Sequence, residues 1–201
     1  MSEPFLDKAY AKTDAQDTRA LYDAWSASYE AEVSQNGYVT PARCAAALAA
    51  FAPDLSVPLL DFGCGTGLAG LAFRLAGFSV IDGVDLSAKM LAQAKDKGVY
   101  RSLTQIEADV RPSGGHTLIS AVGVIGAGAA PLSVFDTLMH GLPQGGMMVF
   151  SFNDHTLADP ANTGRLNEWL DCGAARLLFC ENGPHLTARN MNSTVYVVQK
   201  A

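Results

Sequence analysis

Charge is scarce in this chain of 201 residues: Asp, Glu, Lys and Arg make up 17%, against about 25% in an average soluble domain. No Lys/Arg cluster appears, and 14 basic against 20 acidic residues leave a net charge of −6. A protein that grips a phosphate backbone needs a basic stripe to release counterions, so nucleic acid is excluded as a partner and a small or neutral one is expected. Cysteine is equally sparse. Cys44, Cys64, Cys172 and Cys180 form no C-x-x-C pair and have no histidine at ligand spacing. This excludes a zinc site or a disulfide scaffold, and all four read as small buried hydrophobes in a reducing compartment. The N-terminal M-S-E-P-F-L-D-K-A-Y lacks a basic region followed by an apolar core, so no signal peptide is expected and the location is cytoplasmic. Pro112 to Phe135 holds no charged residue and is long enough to span a bilayer. Its glycines, Pro112 and Pro131 break the apolar side chains into short clusters, so no membrane span is expected. Internal repeats and low-complexity tails are also missing.

What is present suits one globular domain. Hydrophobic residues reach 49% with mean hydropathy +0.13, enough for a chain of this size to bury roughly 70% of its unfolded surface. Residues 14–33 show a helical period, with Leu21, Trp25, Tyr29 and Val33 on one face, and predict an amphipathic lid. Asn36-Gly37 breaks it, and Thr40-Pro41 predicts the N-cap and first position of a second helix ending near Pro53. From there strands and helices alternate. Strands are expected at Val57–Phe62, Ser79–Val84, Arg101–Ala108, Thr117–Val122 and Met147–Phe152, with helices at 66–76, Ser87–Lys97 and Leu132–Gly141 between them. This pattern predicts a doubly wound parallel α/β sheet. After a helix at Asn162–Asp171, strands at Ala174–Glu181 and Thr194–Gln199 flank a loop at Asn182–Ser193 and predict an antiparallel hairpin at a sheet edge. The expected division is one domain, 1–201, with a helical lid at 1–55, a cofactor core at 56–160 and a C-terminal helix and hairpin at 161–201.

The informative segment is P-L-L-D-F-G-C-G-T-G-L-A-G, residues 58–70. Gly65, Gly67 and Gly70 satisfy the dinucleotide pattern G-x-G-x-x-G, while Asp61, Gly63, Gly65 and Gly67 satisfy D-x-G-x-G-x-G. Both describe strand, tight turn and helix. Asp61 favours the second frame, because a pyrophosphate at the strand end would face a carboxylate and be repelled. The ammonium and sulfonium of S-adenosylmethionine would be attracted, directly or through water. A plain turn-capping role for Asp61 is the alternative. Asp85 closes the second strand and can accept from both ribose hydroxyls, with Leu86 and Met90 as apolar walls for the adenine and Ser87 as a helix N-cap. Asp82 competes for the role of Asp85 but falls inside the strand. At the third strand tip, Asp109 can accept from the adenine amino group while the Val110 amide donates to the ring.

With L-L-D-F-G-C-G-T-G, V-D-L-S-A-K-M-L, E-A-D-V and L-P-Q-G-G-M-M-V-F-S-F in place, the chain resembles the class I S-adenosylmethionine-dependent methyltransferases from about Tyr22 onward. Y-D-A-W-S-A-S-Y-E and the tail from Gly183 to Val197 are similar to a methyltransferase-like group that includes the Williams–Beuren region protein. The resemblance implies a Rossmann-like seven-stranded sheet whose last strand is antiparallel. It places the cofactor against Asp61, Gly63, Cys64, Gly65, Gly67, Asp85, Leu86, Met90, Asp109, Val110 and Ala121, with an N-terminal aromatic, Trp25, Tyr29 or Tyr38, closing the methionine end. Where one large amine-methylating group carries Asn/Asp-Pro-Pro-aromatic, this chain has Ala121-Val122-Gly123-Val124, and the small apolar loop from Gly123 to Pro131 leaves room for an acceptor. His155, and after it His185, are the candidate catalytic bases; His116 and His140 read as surface residues. A small-molecule acceptor is expected. An NAD(P)-dependent oxidoreductase and a non-catalytic cofactor-binding module remain as alternatives.

Overall fold

A computed structural model describes residues 5, 15–108, 115–126 and 129–201. The N-terminal part forms helices α1 (Ala15–Trp25), α2 (Tyr29–Gln35) and α3 (Thr40–Phe51). The single helix expected over 14–33 is therefore two. The chain turns at Ser26–Ser28, which lets Trp25 fold back on the next helix: its Nε1 donates to Glu32 at 2.8 Å and its ring meets Tyr29 edge-on at 4.8 Å. Thr40 does not cap α3 as expected. Its buried hydroxyl bonds instead to His185 Nδ1 at 2.8 Å and Ser193 Oγ at 3.0 Å.

Strands and helices then alternate: β1 (Leu59–Phe62), α4 (Leu68–Leu75), β2 (Ile81–Asp85), α5 (Ala88–Asp96), β3 (Ser102–Gln105), β4 (Leu118–Ala121), α6 (Ser133–Gly141) and β5 (Met147–Asn153). A short α7 (Asp154–Leu157), which the sequence did not suggest, precedes α8 (Pro160–Asp171), β6 (Ala175–Leu186) and β7 (Met191–Lys200). The described strands form one seven-stranded sheet in the order β3-β2-β1-β4-β5-β7-β6. All neighbours are parallel except β7, which runs antiparallel to both β5 and β6. The loop expected at Asn182–Ser193 shrinks to a 3-10 turn, Thr187–Arg189, and Asn190, because both strands continue past Gly183-Pro184. Proline is tolerated there since β6 is the edge strand.

Parallel strands bury both faces, so successive residues serve opposite helix layers. Leu60, Ile119, Met148, Phe150 and Val198 pack with α6 and α8 through Phe135, Leu138, Leu166 and Trp169. Leu59, Leu118, Val149 and Val197 pack with α3 and α4 through Cys44, Leu48 and Phe73. Each such side chain contributes on the order of 1.5–3 kcal/mol. Chain order reverses between β1 and β4, so a crevice opens at their carboxyl ends. Among the described residues no helix is long and apolar enough to cross a membrane. Cys44 and Cys64 are buried as expected, but Cys172 and Cys180 are exposed, the first capping the end of α8 and the second on the edge strand.

Candidate active site

The crevice between β1 and β4 holds a cavity of about 270 Å³. Its floor is the glycine loop after β1, where Gly67 has φ +92°, a conformation that suits glycine, and opens α4 as its N-cap. Gly63 serves close approach: a Cβ there would lie 2.5 Å from Val124 Cγ2 in the loop after β4. Of the residues expected to hold the cofactor, Gly63, Gly65, Asp85, Leu86 and Met90 line the cavity. The Asp85 carboxylate is fixed by two amides: Gly65 N donates to Oδ2 and Ser87 N to Oδ1, each at 2.8 Å. Burial raises its pKa, and those amides act against the rise. Asp82 has a structural role instead. Arg101, His116 and Ser102 all donate to it, and the Arg101 guanidinium above all holds its carboxyl well below the usual carboxylate range. His116 is thus half-buried and bonded, not a simple surface residue.

Tyr29 and Tyr22 close the cavity from α2 and α1, while Trp25 lies behind them at 2% exposure. Tyr38 is held by the ring of His185, 5.2 Å away and edge-on, with its hydroxyl beside Gly123. The far wall is apolar: Val122, Val124, Ala129, Ala130, Pro131 and Val134. Phe62, Ile106, Ser87 and the pair Arg19–Glu107, 3.3 Å apart at the mouth, complete the site together with Thr18, Gly123 and Ala108. The sequence marked the 123–131 loop as a whole, but nothing in it singled out Arg19, Ile106 or Glu107.

Several expected contacts lie elsewhere. Asp61, Cys64, Gly67 and Ala121 are not part of the cavity lining. Asp61 is 1% exposed and accepts from Tyr100 Oη at 2.7 Å and Ser120 Oγ at 2.8 Å. Ala121 is fully buried at the end of β4. Asp109 and Val110 fall outside the described residues. Neither histidine reaches the cavity: His155 is exposed on α7, and His185 is buried against Thr40 and Tyr38. Burial lowers the His185 pKa to about 4.

A family model for a methyltransferase domain matches residues 37–193. The chain belongs to that methyltransferase family. Human methyltransferase-like protein 27 is 32% identical over 134 residues, covering 64% of this chain and 54% of that protein, so the chain spans about half the length of this curated relative. The SAH-bound magnesium protoporphyrin IX methyltransferase from Synechocystis has a similar fold, with TM-score 0.67 and 14% identity over 94% of this chain and 100% of that one. So do the [4+2]-cyclase SpnF, with TM-score 0.60 and 18% identity over 79% and 80%, and a Lactobacillus delbrueckii ribosomal protein L11 methylase, with 0.58 and 17% over 79% and 77%.

The cofactor of the methyltransferase domain is S-adenosylmethionine, and the residues present fit it. Asp85 faces the cavity with its carboxylate fixed and would accept from a ribose diol, Leu86, Met90 and Ile106 line it with apolar surface against which adenine would fit, and Gly63 and Gly65 leave the floor free of side chains. Thr66, within the same loop, holds the buried side-chain oxygen that has no hydrogen-bond partner among the described residues. A dinucleotide pyrophosphate would instead bring negative charge to the strand ends that carry the carboxylates of Asp61 and Asp85.

Proposed function

We propose that this protein methylates a small, weakly polar acceptor that enters between the tyrosines of α1–α2 and the loop after β4. The observation that supports this reading is the asymmetry of the cavity. One end presents the anchored Asp85 carboxylate, and the other is walled by Val124, Ala129, Ala130, Pro131 and Val134. The solved neighbours include both a ribosomal protein methylase and a magnesium protoporphyrin IX methyltransferase, so the acceptor is argued from this lining and not from them. A cytoplasmic location belongs to the same proposal, as does a partner other than nucleic acid, which the net charge of −6 supports.

When bound, the cofactor supplies an electrophilic methyl group on a sulfonium. The protein's part is binding and alignment: Asp85 orients the ribose, the glycine loop sets the depth of the methionine end, and Tyr22 and Tyr29 exclude water. Of the cavity's described carboxylates, Asp85 is engaged by amides and Glu107 by Arg19. The described lining contains no histidine. This favours acceptors whose nucleophilic atom is deprotonated near neutral pH without help, such as an acidic thiol or a weakly basic amine.

Calorimetry with S-adenosylmethionine, S-adenosylhomocysteine and NAD tests the first half, with binding of the two sulfur compounds expected and none of NAD. A metabolite screen for a one-methyl mass gain tests the second. Tight NAD binding alone would overturn the assignment; tight S-adenosylmethionine binding without any methylated product would leave a binding module.

A further inference from the structure

A single tyrosine connects the glycine-rich segment to the buried acid behind it. Tyr100, in the connector between α5 and β3, lies against three glycines: Gly67 at the N-cap of α4, Gly70 within α4 and Gly83 on β2. A Cβ at Gly67 would lie 3.1 Å from its Cε2, at Gly70 2.2 Å from its hydroxyl, and at Gly83 3.0 Å from its Cδ1. Gly83 pairs with Asp61 across β2 and β1, and Ser120 pairs with Asp61 across β4 and β1. The side chain that Gly83 lacks is thus replaced by the Tyr100 ring, and the Asp61 carboxylate receives one hydroxyl from each side. This explains why the chain carries the third glycine of a dinucleotide-like pattern: at Gly70 a side chain would collide with the tyrosine hydroxyl.

We propose that Tyr100 is a positioning residue for the cofactor, its hydroxyl holding the buried Asp61 carboxylate as an anion behind the glycine loop, where its charge answers the cationic methionine end of S-adenosylmethionine. The proposal rests on the methyltransferase reading above. The titratable groups facing Asp61 are Tyr100 from the connector, Asp85 from β2, Cys64 from the glycine loop and Cys44 from α3. Burial, and to a smaller degree Asp85, raise the Asp61 pKa to about 6, while Tyr100, Ser120 and the Gly70 amide oppose the rise. Without the Tyr100 donor, Asp61 takes up its proton closer to neutral pH.

Tyr100→Phe keeps the ring that fills the space over the three glycines and removes only the donor. Two measurements read the result. In the ligand-free protein, carboxyl carbon NMR follows Asp61, assigned with Asp61→Asn; the midpoint is expected near pH 6 in the wild type and at least one pH unit higher in Tyr100→Phe. Calorimetry with S-adenosylmethionine at pH 6.5, 7.5 and 8.5 is expected to show about threefold weaker binding by the variant at the lowest pH, recovering toward wild type at the highest. An unchanged midpoint overturns the proposal whether or not the cofactor binds. A shifted midpoint with unchanged affinity, or an equal loss at every pH with a lower Tm, makes Tyr100 a packing residue. Failure of the wild type to bind S-adenosylmethionine defeats the cofactor reading itself and this proposal with it, while the NMR result still reports on the Tyr100–Asp61 bond.

Discussion

Asp82 and Asp85 sit three positions apart on one strand and do different work because of what donates to them. Asp82 is enclosed by Arg101, Ser102 and His116, whereas Asp85 is held by backbone amides and faces the cavity. Asp85→Asn is therefore expected to weaken S-adenosylmethionine binding about 10- to 100-fold, the loss of a charged hydrogen-bond acceptor on the order of 1.5–3 kcal/mol. Asp82→Asn is expected to lower the Tm by several degrees and leave the affinity within about twofold. Calorimetric titration beside thermal melts checks both, and an affinity loss in the Asp82 variant would mean that the wrong acid has been assigned to the ribose. Position within the strand made this choice legible in the sequence. The burial of Asp61 was not legible, because it follows from Tyr100, which approaches from another connector and leaves only the otherwise unexplained Gly70 as a trace.

At the scale of elements, the lid is joined to the cofactor-binding part by polar contacts along α5 and beyond β3. Asp23 of α1 accepts from Ser87 Oγ, the Ser26 carbonyl accepts from Gln93, Glu30 of α2 pairs with Lys97, and Arg19 pairs with Glu107 over the cavity mouth. The Arg19 pair is partly exposed, so it is worth at most about 1 kcal/mol and is screened by salt. Arg19→Ala should speed cofactor release about two- to fivefold at low ionic strength, with the difference vanishing at high salt. Stopped-flow release of S-adenosylmethionine measures this; equal rates at low salt would show that the pair does not latch the lid. The parallel strands and their helices were legible because both-face burial gives short apolar runs separated by glycine and proline. The lid's bend was hidden, since Leu21, Trp25, Tyr29 and Val33 keep one helical period through a turn made by tertiary contacts. The length of the terminal hairpin was hidden too, because Pro184 signals a loop in sequence yet sits on an edge strand whose outer side needs no ladder bonds.

For the whole molecule, two buried groups impose opposite slopes on stability in one pH window. The native pKa of His185 is lowered from 6.5 to about 4, chiefly by burial. On acidification the unfolded chain takes up that proton first, so this group removes stability between those values. Asp61 is raised from 3.8 to about 6, again chiefly by burial. Here the native state takes up the proton first, so acidification through the same window returns stability. Asp82, with its lowered pKa, contributes fully above 3.8 and is lost only as pH falls below it. The wild type should therefore lose little stability between about pH 6.5 and 4.5 from this pair, since the two slopes oppose each other. His185→Gln removes one slope: its deficit at pH 7, from the lost Thr40 contact and altered packing, should shrink steadily toward pH 4.5. Asp61→Asn removes the other, and its stability should fall more steeply than that of the wild type over the same range. Melting curves of the three proteins from pH 7.5 to 4.5 decide the matter, and parallel curves for wild type and His185→Gln would mean that His185 is protonated alike in the folded and unfolded states.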